Sequence, residues 1–282
     1  MEIYAHDDKA LEAHSEIVNK YLDSYIATGN PFWVAINESK AIGAVMAAVE
    51  PVRLIAPIGT PMSLLAVFDY DAPTHVLKRF ASEGLRIAKE HDAHYSFIDV
   101  PEKHRPLIEH FKTIGYQEMA RSLRMSRNLD EDFEDKGELR YEKVERNELD
   151  NFMRTMKEFM SGSPDIMLNT ILENFSTFPD EMLDVWYGTE LLYTAYKDSD
   201  MVGVLDLSPG TGTNISNVGV SPKCRGKGYG RMIMNFALRT LKEIGDERGS
   251  LRVHVDNERA IGLYESLGFA QHSSNSALIW WK

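Results

Sequence analysis

The chain has 282 residues, a formal net charge of −12 and 43% hydrophobic residues, which exceeds the usual size of one domain and supplies enough apolar side chains for well-formed cores, so two domains are expected. The acidic balance argues against nucleic acid or an anionic membrane surface as the main partner, because phosphate contacts need a basic surface. The single cysteine, Cys224, excludes an internal disulfide framework and a Cys-rich metal site; with no run of about 18 apolar residues and a charged start, MEIYAHDDKALEAH, a cytoplasmic protein without membrane segment or metal is expected.

Phe32 to Val45 (FWVAINESKAIGAV) reads as a hairpin, and Phe80, Ala81, Leu85 and Ala88 mark the apolar face of a helix. His91 and His94 invite a metal-pair reading, but no third ligand stands near them and a surface cluster is preferred. The acidic run from Asp130 to Asp135 reads as a solvated linker, which sets expected boundaries of 1–130, 131–137 and 138–282. Beyond it, Leu139 to Val144 suggests a strand and Glu148 to Phe159 a helix. Met153, Met156, Met160 and Met167, with Phe175, Phe178 and Trp186, are suited to an adaptable ligand wall and equally to a core, and for the first helix the core is preferred. Ser161-Gly162-Ser163-Pro164 should split this region into two helices and leave a gap for an acceptor, flanked by Tyr193, Tyr196, Trp280 and Trp281.

Leu192 to Leu205 (LYTAYKDSDMVGVL) repeats the earlier hairpin, aligning Ala35 with Ala195 and Gly43 with Gly203. Residues 215–238 then give a strand, a glycine-rich loop and a helix in succession. Within the loop, Gly226, Gly228 and Gly230 leave backbone N–H groups open to an anion, and Lys223, Arg225, Lys227 and Arg231 form a cationic island. The spacing fits neither a dinucleotide fingerprint nor a P-loop. Residues 251–269 (LRVHVDNERAIGLYESLGF) read as an alternating strand, an Asp256/Asn257 cap and a short helix ending at Gly268. The helix after the loop, with Phe236, Ala237, Leu241 and Ile244, parallels the one carrying Phe80, Ala81, Leu85 and Ala88. In the same way His110 to Tyr116 (HFKTIGY) parallels Leu263 to Phe269.

With both blocks in order, residues 138–282 resemble the GNAT superfamily of acyl-CoA-dependent N-acyltransferases. The family's pyrophosphate motif, Gln/Arg-x-x-Gly-x-Gly/Ala, is met by Arg225, Gly228 and Gly230, and its later block by Asn257, Tyr264, Gly268 and Phe269. The resemblance implies an α/β (α+β) fold of two tandem GNAT-like domains, each a mixed, mostly antiparallel sheet flanked by helices. It implies acetyl-CoA as cosubstrate, held by Val218, Val220, Arg225, Gly226, Lys227, Gly228, Tyr229, Gly230 and Asn257. The reaction it implies is direct attack of a primary amine on the thioester in a ternary complex. Tyr264 is the implied proton donor to the departing thiolate, although the Ile261, Tyr264, Leu267 pattern also suits a core-facing aromatic.

An alkyl ammonium with a pKa of about 10.4 must lose a proton before attack. Asp206 stands where the family often keeps a carboxylate facing the acceptor. Family members commonly have Glu there, and an Asp bonding the next turn is an equal reading. The backbone N–H groups of Val218-Gly219-Val220 are the implied oxyanion donors, with Gly219 helping the strand to open. Cys224 lies inside the phosphate loop, far from the thioester end, and is not read as a nucleophile.

The first domain is expected to be a degenerate copy. Where its phosphate loop should be, Val67 to Thr74 has no glycine and carries Asp69 and Asp71, while Phe111 falls opposite Tyr264 and His104 opposite Asn257. A first domain with a different ligand stays open. The expected activity is N-acetylation of a small amine or amino-acid derivative, with no nucleic-acid or membrane partner. A non-catalytic acyl-CoA sensor and a protein N-acetyltransferase are the alternatives, and a homodimer is left open.

Overall fold

The short hairpin between Phe32 and Val49 is closed by Glu38 and Ser39, both at positive φ (49° and 65°), the twist a two-residue hairpin turn requires. In the computed structural model, which describes residues 1–14, 28–130, 132–133 and 138–282, this hairpin belongs to a sheet of β1 (Glu2–Ala5), β2 (Phe32–Asn37), β3 (Lys40–Val49), β4 (Pro61–Val67) and β5 (Tyr95–Pro101). Residues 131 and 134–137 of the expected linker lie outside the described residues. Strands β1 to β4 are antiparallel neighbours in chain order and β4 runs parallel to β5. Helix α1 (Thr74–Glu90) buries Phe80, Ala81, Leu85 and Ala88, and helix α2 (Arg105–Thr113) buries Leu107, Ile108 and Phe111 in the same core.

Contacts divide the chain into two units, Met1–Arg121 with Ser274–Lys282, and Ser122–Ser273. This differs from the boundaries expected at 130 and 138. In β6 (Gln117–Asn128), Ser122–Asn128 pairs antiparallel with β11 (Arg248–His254) in the second unit. In β12 (Ala270–Trp281), Asn275–Trp281 pairs antiparallel with β5 in the first. Both are continuous twelve-residue strands, so no break in secondary structure marks where either passes from one unit to the other.

The second unit's sheet runs β7 (Arg140–Lys143), β8 (Leu191–Lys197), β9 (Asp200–Leu207), β10 (Ile215–Val220), β11 and the end of β6. Only β10 and β11 are parallel. Helix α6 (Tyr229–Ile244) covers one face, with Ile233, Leu238 and Leu241 packed on Leu205, Leu207 and Leu251. Helices α3 (Leu149–Phe159), α4 (Ile166–Asn174) and α5 (Asp180–Thr189) cover the other, with Phe152, Met156 and Leu172 packed on Leu192 and Val204. The segment from 149 to 189 thus makes three helices and not the expected two, because Pro179 starts a further one. Each unit is a mixed, mostly antiparallel sheet flanked by helices, as expected.

The internal repeat is visible in packing. An added Cβ on Gly43 would meet Phe80 Cζ at 2.8 Å, and one on Gly203 would meet Ile233 Cδ1 at 2.2 Å, so each helix lies directly on its hairpin glycine. This pairs Phe80 with Ile233 and sets the helices three residues away from the expected alignment on Phe236. Ile233, Met234, Leu238 and Leu241 are buried as Phe80, Ala81, Leu85 and Ala88 are. Phe236 instead stacks on Tyr141 at 3.8 Å, and Ile244 is 51% exposed.

The C-terminal strand is fastened in the first unit by Glu102. Its carboxylate accepts from Arg121 Nε (2.6 Å) and Nη2 (2.9 Å), and from the hydroxyls of Ser274 (2.9 Å) and Ser276 (3.4 Å). The Arg121 guanidinium holds the carboxyl at about 2, against an ordinary 4.5. A lowered folded pKa stabilises at pH values above the unfolded one and is lost as pH falls from about 4.5 to about 2. Arg121 is 44% exposed, so solvent screening reduces the contribution to about 1–2 kcal/mol. Glu102→Gln should lower stability by that amount at pH 7 and flatten its decline between pH 5 and 2, measured by denaturant unfolding across pH; an unchanged slope would remove Glu102 from this role.

Candidate active site

Strands β10 and β11 pair at one position, Ile215 with Leu251, and then part. On its other side β10 stays hydrogen-bonded to β9 from Asn217 to Val220. The parting opens a gap whose far end is the glycine loop. Gly226 and Gly228 have φ of 82° and 85°, and a Cβ on either would meet nothing within 4 Å, so backbone conformation alone calls for glycine there. Gly228 caps α6 without a side chain, and at the positive end of this sixteen-residue helix the first amide to bond back is that of Arg231, to the Gly228 carbonyl at 3.0 Å, ahead of which stand the amides of Tyr229 and Gly230. Gly230 sits 3.3 Å from Leu263 and 3.6 Å from Val220, measured to an added Cβ, and lets helix α7 (Glu258–Ser266) pack beside α6. Tyr229 is half-buried on the α6 core, while Lys223 and Lys227 are exposed. These features fit a pyrophosphate at the loop and an extended chain along the gap.

Two expected contacts have other partners. The Arg225 guanidinium donates to the carbonyls of Phe159 (2.8 Å), Ser161 (3.1 Å) and Val220 (3.3 Å), tying the end of α3 to the end of β10. Arg231 donates to the Ser266 hydroxyl at 2.5 Å and its carbonyl at 3.3 Å. A third arginine, Arg252 on β11, donates at 2.9 Å to Asp165, which also caps α4 by accepting from Leu168 N–H at 3.1 Å. The segment from Phe159 to Asp165 is therefore fastened from both strands that border the gap. Gly219 is required by the same packing: a Cβ there would meet Val204 Cγ2 at 2.8 Å, Phe159 Cβ at 3.1 Å and Met160 Cγ at 3.2 Å. Its role is close approach of α3 to the strand.

Asn257 caps α7, its Oδ1 accepting from Ala260 N–H at 3.3 Å. Two turns further, Tyr264 packs half-buried against the α6 core, 5.9 Å from the Phe269 ring. Burial pushes its phenol up to about 12, so it stays protonated throughout the neutral range. Val218 and Val220 pack into the same core, whereas Asn217 and Gly219 alternate onto the opposite face.

On that opposite face lies Asp206, 1% exposed, between Leu192 of β8 and Asn217 of β10. Its Oδ2 accepts from Asn217 Nδ2 at 2.7 Å, and its buried Oδ1 has no donor among the described residues. Burial pushes the carboxyl up to about 8; Asn217 opposes the shift and the neighbouring Glu190 adds to it. Sequence reading missed both neighbours. Asn217 was accessible from strand alternation with Gly219, while Glu190 reaches Asp206 only through the register of β8 on β9.

Residues 164–269 match the profile of the Acetyltransferase (GNAT) family. This part of the chain is a GNAT acetyltransferase domain. A mycothiol acetyltransferase of Streptomyces avermitilis is 29% identical over 100 residues, 34% of this chain and 32% of the relative, so the match spans about a third of that protein's length. Two solved structures share the fold over nearly the whole chain. A GCN5-related N-acetyltransferase from Sphaerobacter thermophilus superposes with a TM-score of 0.65 at 12% identity, covering 98% of this chain and 95% of the other. A tandem GNAT protein from the clavulanic acid biosynthesis pathway gives 0.60 at 14% identity, covering 99% and 98%.

Set beside this GNAT domain, the first unit has the strand parting without the cradle. β4 and β5 pair from Met62 to Leu64 and then separate. Tyr70, in the loop after β4, bridges the separation by donating to the Asp99 carbonyl at 3.2 Å and stacking on His104 at 4.6 Å. Asp69 turns the loop by accepting from Asp71 N–H at 3.0 Å, and helix α1 starts after Pro73 instead of a glycine. Of the remaining candidates, Cys224 packs half-buried against the α6 core and His91 packs on Trp33 at 4.4 Å. No cluster of three metal-ligating side chains occurs among the described residues.

The Gly219 contacts give a direct test. Gly219→Ala should destabilise the protein by about 1–3 kcal/mol through overpacking, read as a lowered denaturation midpoint; an unaffected midpoint would mean that α3 does not rest on this strand.

Proposed function

We propose that the second unit transfers an acetyl group from acetyl-CoA to a primary amine on a small molecule. The observation that carries this reading is the parting of β10 from β11 in front of a glycine loop that opens onto the first turn of α6. In this reading the amides from Gly226 to Gly230 receive the pyrophosphate, with Lys227 beside them, and the free edge of β10 at Val218 and Val220 binds the pantetheine arm with Asn257 opposite. Arg225 serves the site indirectly, by holding α3 against β10. Acetyl-CoA supplies a thioester-activated acyl group. The chain's own part is to take a proton from the acceptor ammonium at Asp206, to donate backbone N–H groups of Val218–Val220 to the developing oxyanion, and to protonate the leaving sulfur from Tyr264.

The similarity to mycothiol acetyltransferases supports acetyl as the transferred group. Tyr264 favours an enzyme over a sensor, since it keeps a phenol that is protonated at neutral pH at the position of the family's proton donor, which binding alone does not need. The first unit is read as a degenerate copy whose gap is bridged by Tyr70.

Calorimetric titration with acetyl-CoA should give one site per chain; two sites would overturn the degenerate reading of the first unit, and none would overturn the donor-site assignment. Gly228→Asp, which places a carboxylate at a φ of 85°, should weaken binding by about tenfold or more, a loss of about 1.4 kcal/mol; undiminished affinity would remove the pyrophosphate assignment. Tyr264→Phe should lower kcat by about 100-fold with the Kd for acetyl-CoA preserved, whereas unchanged turnover would leave Tyr264 as packing.

A further inference from the structure

Transfer from a thioester to an ammonium releases one proton to water in every cycle. The acceptor nitrogen passes from three hydrogens to one: one proton replaces the lost acyl group on sulfur, the other must leave the protein. Asp206 is 1% exposed, so a proton taken up at this position is passed on through a neighbouring group.

The structure places one beside it. Leu192 opposes Asp206, and Leu191 opposes Leu207, which sets Glu190 diagonally from Asp206 on the same face of the sheet. Glu190 is within hydrogen-bonding reach of Asp206 and half-buried. It also accepts from the Ser208 hydroxyl, which is in turn 2.7 Å from the Ser216 hydroxyl. A depression bordered by Leu191, Tyr193, Thr240 and Glu243 lies on the α6 side of the sheet, so the Glu190 carboxylate, on the face of Asp206 and Ser208, meets solvent through its own partial exposure. Two carboxyl groups in hydrogen-bonding reach cannot both be charged at low cost, and the donorless Oδ1 of Asp206 is accounted for if a proton lies between them.

We propose that Glu190 shares a proton with Asp206 and is the outlet through which the proton taken from the acceptor ammonium reaches solvent. This rests on the acetyl-transfer reading above. In the step, the N–H bond breaks toward an Asp206 carboxylate, the N–C bond forms and the C–S bond breaks. Sulfur receives the second nitrogen proton by way of Tyr264, whose hydroxyl is restored, and Asp206 passes its proton to Glu190 and then to water. The groups that set the titration of Asp206 are Asn217 on β10 and Glu190 ahead of β8. Helices α3 to α5 cover this face of the sheet with the apolar side chains Phe152, Met156, Leu172 and Leu183, and Tyr193 and Glu243 belong to the opposite face.

The test is Glu190→Gln, with Glu190→Asp as a variant that keeps the charge. Infrared titration of isotopically labelled aspartate in the ligand-free protein, assigned with Asp206→Asn, should show the Asp206 carboxyl titrating about one pH unit lower in Glu190→Gln and close to wild type in Glu190→Asp. With an amine acceptor, the alkaline rise of the pH–rate profile should move the same way and kcat should fall about tenfold or more, while affinity for acetyl-CoA is unchanged. An unshifted Asp206 titration, or an unshifted rate profile at wild-type kcat, would overturn the outlet. A wild-type protein that neither binds acetyl-CoA nor acylates amines would instead defeat the transfer reading, and the titration would still decide whether the two carboxyls share a proton.

Discussion

A parallel strand pair held at one position exposes the backbone of both strands beyond it, and the second unit is organised around that exposure. After Ile215 the edge of β10 that faces β11 has no strand opposite, although β9 holds its other edge in extended form. Buried backbone groups need partners, so this edge is a ready template for an extended ligand. The surrounding structure keeps the gap from closing. On one face α3 is pressed onto β10 through Gly219 and tied by Arg225, and on the other α6 rests on Gly203. The loop that carries Arg225 also carries the glycines at positive φ that end in the cap of α6. Opening of the strands, placement of the helix end and anchoring of α3 are therefore one mechanical arrangement.

The first unit keeps the strand separation and the helix on its hairpin glycine without a glycine loop. Its strands β4 and β5 also separate, and its helix also rests on the hairpin glycine, Gly43 against Phe80. Fold stability depends on those contacts, because a core glycine under a helix cannot be enlarged without moving backbone. The loop ahead of the helix carries no such constraint, and there the two units differ most: Asp69, Tyr70 and Asp71 stand in place of the glycines, and Tyr70 reaches across to Asp99.

Much of this was legible in the sequence because it is local. The succession of strand, glycine loop and helix, the Asn257 cap and the hairpin repeat each depend on residues a few positions apart. What was not legible depends on register and on distant partners. The helix alignment was set three residues off because Phe236 resembles Phe80 in type, whereas the contact with the hairpin glycine belongs to Ile233. The extent of each unit was missed because β6 and β12 are continuous strands that serve both. Arg225 was expected at a phosphate, and two of its three carbonyl partners, Phe159 and Ser161, are far away in sequence.

The burial of Asp206 is the least economical feature of the domain. A carboxyl that is 1% exposed, with one oxygen lacking a donor and an acidic neighbour, costs stability compared with a small apolar side chain among Leu192 and Val204. Structural need does not account for it, since the neighbouring positions of β9 are filled by aliphatic side chains and the hairpin would be as well packed without it. A group held near pH 8 is, however, suited to a reaction that begins by removing a proton from an alkyl ammonium at neutral to alkaline pH: it is basic enough to accept the proton and acidic enough to give it up again. The same burial that raises its pKa also isolates it from water. For the base proposed at Asp206, turnover needs a more exposed acid beside it, and Glu190 is the neighbour that meets this need.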